Sequence, residues 1–139
     1  MPKHPIIIIE DDEDDFRFLQ DVIEELKVPE PVLWFRSCME ALDYLSKTDD
    51  TVFLIFSDIN LPRMSGMKMR RLIDEDERLR KKSIPFVFYT TSANKKEVDE
   101  AYDMIVQGFF TKESDPAAIK ETVDVIIRYW RRCLHPNKM

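Results

Sequence analysis

The chain has 139 residues, 44% of them apolar and 35% charged, with a net charge of −6 at pH 7. That length suits one domain with a proper core, and the acidic balance argues against a general nucleic-acid binder, whose affinity rests on concentrated positive charge. No apolar run approaches the ~20 residues that cross a bilayer, and the two cysteines, Cys38 and Cys133, lie too far apart for a disulfide framework or zinc-ligand spacing.

Pro5 and the run Ile6 to Ile9 read as a strand buried on both faces. No leader-like apolar segment or cleavage site precedes it, so a cytoplasmic protein is expected. The strand runs straight into six acids, Glu10 to Asp15. Phe16, Leu19, Val22, Ile23 and Leu26 then recur at helical spacing, predicting an amphipathic helix from about 13 to 27 that Pro29 and Pro31 end. Val32 to Arg36 is a second strand. Ser37 with Glu40 has the form of a capping box and opens a short helix that buries Ala41, Leu42 and Leu45.

Thr48 to Thr51 turn the chain into a third strand, a near-continuous apolar run from Val52 that stops at Asp58. Asn60, Pro62, Ser65 and Gly66 make the following loop turn-rich, and Met69, Leu72 and Ile73 mark a third helix. The charged stretch from Asp74 to Lys82 reads as a solvated face or loop. Pro85 begins a fourth strand that ends in Thr90 and Thr91. Asn94 with Glu97 caps a fourth helix with the stripe Val98, Ala101, Tyr102 and Ile105, and Gly108 to Thr111 form a fifth strand with Lys112 behind it. Asp115 and Pro116 start the last helix, which carries Ile119, Val123, Ile126, Ile127 and Trp130 to about residue 132. Arg128, Arg131, Arg132 and Lys138 near its end suit the negative pole of a helix. His4 and His135 have no sequence partner that would make them ligands or catalysts.

Strand and helix alternate five times without repeat or linker, which predicts a single three-layer α/β domain. In a parallel sheet with helical crossovers the carboxyl ends of the strands share one edge, where such folds hold ligands. The acids, Asp58, the threonine hydroxyls and Lys112 all fall there. Each has a plainer reading. Asp58 can be a turn-former, Asp14 and Asp15 favourable partners of a helix N-terminus, the threonines β-formers, Lys112 an exposed ion-pair member and Phe109 a core residue. Together they offer more. An aspartate can attack phosphorus to give an acyl phosphate, and phosphoryl transfer asks a protein mainly for placement and charge neutralisation. Converging acids repel unless a divalent ion keeps them ionised, and Mg²⁺ prefers oxygen ligands of this kind.

The acidic cluster after strand one, Asp58-x-Asn60-x-Pro62-x-x-x-Gly66 after strand three, Thr90 after strand four and Lys112 after strand five resemble the receiver domain of two-component response regulators, over roughly residues 4 to 132. The likeness is to stand-alone, chemotaxis-regulator-like members. It implies a doubly wound (βα)5 fold, a parallel five-stranded sheet of the flavodoxin-like kind, as one receiver domain over 1 to 139 with a short basic C-terminal tail and no output domain. It further implies that Asp58 is phosphoacceptor and metal ligand, that Asp11 binds Mg²⁺ directly and Glu10 through water, and that the backbone carbonyl of Asn60 completes the set. A register shift of one would bring in Asp12; the end of the apolar run at Ile9 favours Glu10 and Asp11. Between the two threonines, the family pattern puts the switch hydroxyl at Thr90 and leaves Thr91 the next small-residue position. Phe109 takes the place of the aromatic switch, and Lys112 that of the phosphoryl-pairing cation.

One departure stands out. The family usually has proline after this lysine, often in a cis peptide, and here Glu113 follows. A non-proline cis bond costs about 3 kcal/mol, so a trans bond and a displaced Lys112 are expected. The function implied is a signalling phosphoacceptor rather than an ordinary enzyme. A histidine kinase or phosphotransfer protein would be the donor. A downstream protein would read the change on the face formed by the fourth helix, fifth strand and last helix, which is also a candidate homodimer surface. Neither nucleic acid nor membrane insertion is implied. The alternatives are a degenerate receiver that binds partners without phosphorylation, an Asp-based Mg²⁺-dependent phosphatase of the haloacid-dehalogenase kind, and a flavin carrier. The phosphatase would want a second acid where Asn60 stands, and the carrier a phosphate-binding loop where the acids stand.

Overall fold

Four isoleucines in a row bury one strand on both faces, and the rest of the sheet is laid down beside it. The computed structural model describes residues 4–91, 93–104 and 106–135; Ile105 and Lys138, read above as a helix-stripe residue and a tail cation, lie outside them. The strands are β1 (Ile6–Ile9), β2 (Val32–Phe35), β3 (Leu54–Ser57), β4 (Phe86–Thr90) and β5 (Gly108–Thr111). They pair in parallel in the order β2-β1-β3-β4-β5, the flavodoxin-like arrangement. The chain changes direction across the sheet between β1 and β3, and a crevice opens there at the carboxyl ends.

Alternate side chains of each strand divide two layers of core. Ile7, Ile9, Ile55, Phe86 and Phe88 pack against α2 (Cys38–Lys47), α3 (Gly66–Glu75), α4 (Glu77–Lys81) and α5 (Lys95–Asp103). Ile6, Ile8, Leu54, Phe56, Val87 and Tyr89 pack against α1 (Glu13–Glu25) and α6 (Pro116–Arg132). Each fully buried large aliphatic side chain contributes about 1.5–3 kcal/mol, so the strand interiors hold the fold while their ends are free to carry chemistry. Among the described residues no helix is long and apolar enough to cross a membrane.

The helix starts follow their caps. Asn94 and Glu97 form a complete capping box on α5. The box expected at Ser37 is only half made: Ser37 accepts from the Glu40 N–H, but the Glu40 carboxylate reaches one residue further back, to the Arg36 N–H. The stretch expected as solvated face or loop contains α4, because Asp76 caps it by accepting from the Leu79 N–H at 3.0 Å and Leu79 is buried beneath. On α5 the buried stripe is narrower than its spacing implies. It centres on Ala101, while Tyr102 is 56% exposed.

The loop after β3 is closed tightly. The Gly66 N–H donates to the Ile59 carbonyl at 3.0 Å, and Arg63 takes a left-handed φ of 68° between. A β-carbon on Gly66 would stand 2.4 Å from the Asp58 carbonyl oxygen and 3.0 Å from the Phe88 ring. Glycine therefore lets α3 begin against the backbone of the residue that ends β3. Gly66→Ala is expected to cost about 1–3 kcal/mol through this overpacking, read as a lower urea midpoint. An unchanged midpoint would show that the loop yields freely and that the close approach is not a constraint.

Candidate functional site

Asp58 follows the last residue of β3, and its N–H donates to the Ile9 carbonyl at 3.1 Å, so the backbone of β1 fixes where it stands. Its side chain is held from three sides. The Thr90 hydroxyl donates to Asp58 Oδ1 at 2.9 Å, the Asn60 N–H donates to the same oxygen at 3.1 Å, and Lys112 Nζ donates to Oδ2 at 3.1 Å. Thr90 is fully buried, whereas Thr91 is exposed. The hydroxyl that meets Asp58 is therefore Thr90's, in keeping with the strand's alternation.

Glu10 ends β1 in the same manner. Its N–H donates to the Phe35 carbonyl at 3.1 Å, and its own carbonyl accepts from Trp34 Nε1 at 2.7 Å. Trp34 is in turn stacked on Phe16 at 4.0 Å between ring centroids. The carboxylate is buried and reaches Lys112 Nζ. Asp11 lies on the exposed surface just beyond. Asp12 is the N-cap of α1, accepting from the Asp15 N–H at 3.0 Å, which commits its side chain to the helix rather than the crevice.

Lys112 is not displaced. No peptide bond among the described residues is cis, and with Glu113 in place of proline the lysine still points into the crevice. The reason lies upstream: the β4–β5 ladder runs to the pair Thr90–Thr111, and the Lys112 N–H donates to the Thr90 carbonyl at 2.6 Å. The ammonium meets a third carboxylate as well, Asp15 Oδ2 at 2.9 Å. Sequence reasoning treated Asp15 as a helix-dipole partner. Its role depends on where the first turn of α1 falls relative to β5, for which a linear pattern holds no signal. Phe109 is half-buried, its ring 5.9 Å from that of Phe88.

Burial is the main influence on Glu10, whose carboxyl is pushed up to about 7 with only partial relief from Lys112. Burial works against the Lys112 charge too, but hydrogen bonds to Glu10 and Asp15 overcome it and hold the ammonium above the ordinary lysine range. Cys38, whose thiol burial pushes up to about 12, is packed core rather than a reactive group.

The donor set here consists of oxygens. Among the described residues no three acids form a ready-made metal cage, but Mg²⁺ typically keeps several waters and needs only one or two protein carboxylates. A cationic group already stands between Glu10 and Asp58, which shows that these buried acids are compensated by positive charge. Glu10 and Asp58 supply carboxylate oxygens, the donor type a small hard cation takes.

The family model for the response regulator receiver domain matches residues 6–124. The response regulator Rcp1 of Synechocystis is 27% identical over 134 residues, covering 93% of this chain and 90% of its own length. Chemotaxis protein CheY1 of Helicobacter pylori is 29% identical over 122 residues, covering 88% and 95%. Among solved structures, the phosphorylated cyanobacterial phytochrome response regulator RcpA superposes with a TM-score of 0.82 at 28% identity, over 96% of this chain and 97% of that one. The Mn²⁺-bound form of Rcp1 does so with a TM-score of 0.81 at 25% identity, over 95% and 97%.

The raised Glu10 carboxyl has a consequence for stability. A group that holds its proton more tightly folded than unfolded favours the fold at low pH, and that contribution is lost as pH rises from about 4.5 through about 7. Glu10→Gln removes the loss. Its stability advantage over the parent, measured by urea denaturation in chelator-treated buffer, is expected to grow between pH 5 and 8 by up to about 3 kcal/mol. A difference flat with pH would mean that Glu10 titrates normally.

Proposed function

The chain belongs to the response regulator receiver family of two-component systems, and on that premise we propose that it accepts a phosphoryl group onto Asp58 from a histidine kinase or phosphotransfer protein and passes the change to a protein partner. The observation that carries this is the set of donors on one carboxylate, Thr90 and Asn60 on Oδ1 and Lys112 on Oδ2. An Asp58 oxygen attacks phosphorus, the bond from phosphorus to the donor's histidine nitrogen breaks, and an acyl phosphate is left on Asp58. The same hydroxyl and ammonium then have an acceptor-rich dianion to follow.

Mg²⁺ supplies neutralisation of the charge that spreads over the phosphoryl oxygens. Asp11, Asp58 and the Asn60 carbonyl would hold it directly, and Glu10 through water. A phosphorylated relative and a Mn²⁺-bound one among the structural neighbours support both parts of this reading.

Movement of the Thr90 hydroxyl toward the phosphoryl group frees space on the β4–β5 side, which the Phe109 ring can enter from its half-buried place against Phe88. The output surface is then α5, β5 and α6. Tyr102 on α5 and Val125 and Tyr129 on α6 already leave apolar surface on those elements, suited to a downstream protein or to a second copy of the chain. The receiver unit, matched over residues 6–124, passes its output on through protein contacts.

Incubation with acetyl phosphate and Mg²⁺ is expected to add one phosphoryl group on Asp58, seen by intact mass and located by trapping. Asp58→Asn should abolish it. Thr90→Ala should keep the labelling but lose the change in hydrogen exchange across α5, β5 and α6. Full labelling of the Asp58→Asn protein would remove Asp58 as the acceptor.

A further inference from the structure

An ammonium has three N–H donors, and at Lys112 each is met by a carboxylate: Glu10, Asp15 and Asp58. The lysine side chain is 10% exposed, so little water competes for those donors. Glu10 and Asp58 enter the crevice from strand ends, and Asp15 lines it from a helix. It sits in the first turn of α1, its own N–H fixed to the Asp12 cap, and its side chain is 35% exposed. Its outer side forms part of the wall of a neighbouring groove of about 450 Å³, shared with Phe18, Tyr89, Glu113 and Ile119.

We propose that Asp15 is a positioning residue that acts through Lys112 as a brake, holding one ammonium donor away from the acceptor and so slowing phosphorylation. This rests on the reading of Asp58 as phosphoacceptor. A phosphoryl group arriving at Asp58 needs donors from Lys112, and Asp15 competes for one at 2.9 Å from a helix-anchored position. The position favours an acid for reasons of its own, since the first turn of a helix attracts negative charge, and the chain uses that preference to restrain its lysine.

The test is the labelling rate with acetyl phosphate and Mg²⁺ for the parent, Asp15→Asn, Asp15→Glu, Lys112→Gln and the double variant Asp15→Asn/Lys112→Gln. Asp15→Asn is expected to label about three- to fivefold faster, the scale of a partly exposed ion pair, with Asp15→Glu close to the parent. The gain should vanish in the Lys112→Gln background, which is the coupling a merely structural acid would not show. An unchanged or slower rate in Asp15→Asn, or an equal gain without Lys112, would overturn the proposal. A second measurement needs no phosphorylation: NMR of the Lys112 ammonium in the full chain should show slow proton exchange in the parent and faster exchange in Asp15→Asn. Equal exchange in the two proteins would overturn the restraint even if the Lys112 variants do not fold. If the parent labels neither from acetyl phosphate nor from a phosphorylated histidine kinase while the exchange difference is present, the phosphoacceptor reading falls and the Asp15 restraint of Lys112 stands.

Discussion

Glu10 and Asp58 end adjacent strands and are both buried, and two like charges side by side in a poorly hydrated crevice are tolerated only with a cation between them. Lys112 supplies it from the far side of the sheet. Its ammonium draws together β1, β3 and β5 and the start of α1, so the carboxyl edge of the sheet is fastened electrostatically while its middle is fastened by apolar packing. A site built on one multiply shared cation is poised. Any new charge that enters it must redistribute those partners.

The sheet makes that arrangement possible by its order. With β1 and β3 adjacent and the chain departing to opposite sides after them, the edge between them is left uncovered by either crossover. Backbone hydrogen bonds then set the side chains. The Asp58 N–H is tied to β1, the Glu10 N–H to β2 and the Lys112 N–H to β4. Each charged residue stands one step past a ladder, its backbone rigid and its side chain turned into the crevice. Gly66 belongs to the same construction, since the start of α3 presses on the carbonyl of Asp58 itself.

The substitution of Glu113 for the family's proline shows how such a site tolerates change. Proline would fix the backbone after the lysine, but here the turn is already fixed ahead of it by the bond to Thr90. The lysine is fixed at its far end by three carboxylates, one of them in a helix. The ammonium is thus held from the strand ends and from α1 together.

Much of this was legible in the sequence. Four isoleucines, the run from Val52 to Ser57 and the apolar stripe from Phe16 to Ile23 fix strand, strand and helix by period and length alone, because burial on one or both faces leaves a local pattern. The acids after β1, Asp58, Thr90 and Lys112 were legible because strand ends in a parallel sheet share an edge. The helix at Glu77–Lys81 was not, since its single buried residue, Leu79, leaves no periodicity to read. The fate of the six acids was legible only in part. The end of the apolar run at Ile9 points to Glu10, whereas only the turn of the chain into α1 commits Asp12 to a cap and returns Asp15 to Lys112. The sequence by itself determined which segments are buried, because that is a property of each segment. The tertiary structure alone decided which charges face one another, because that depends on the relative placement of elements about a hundred residues apart.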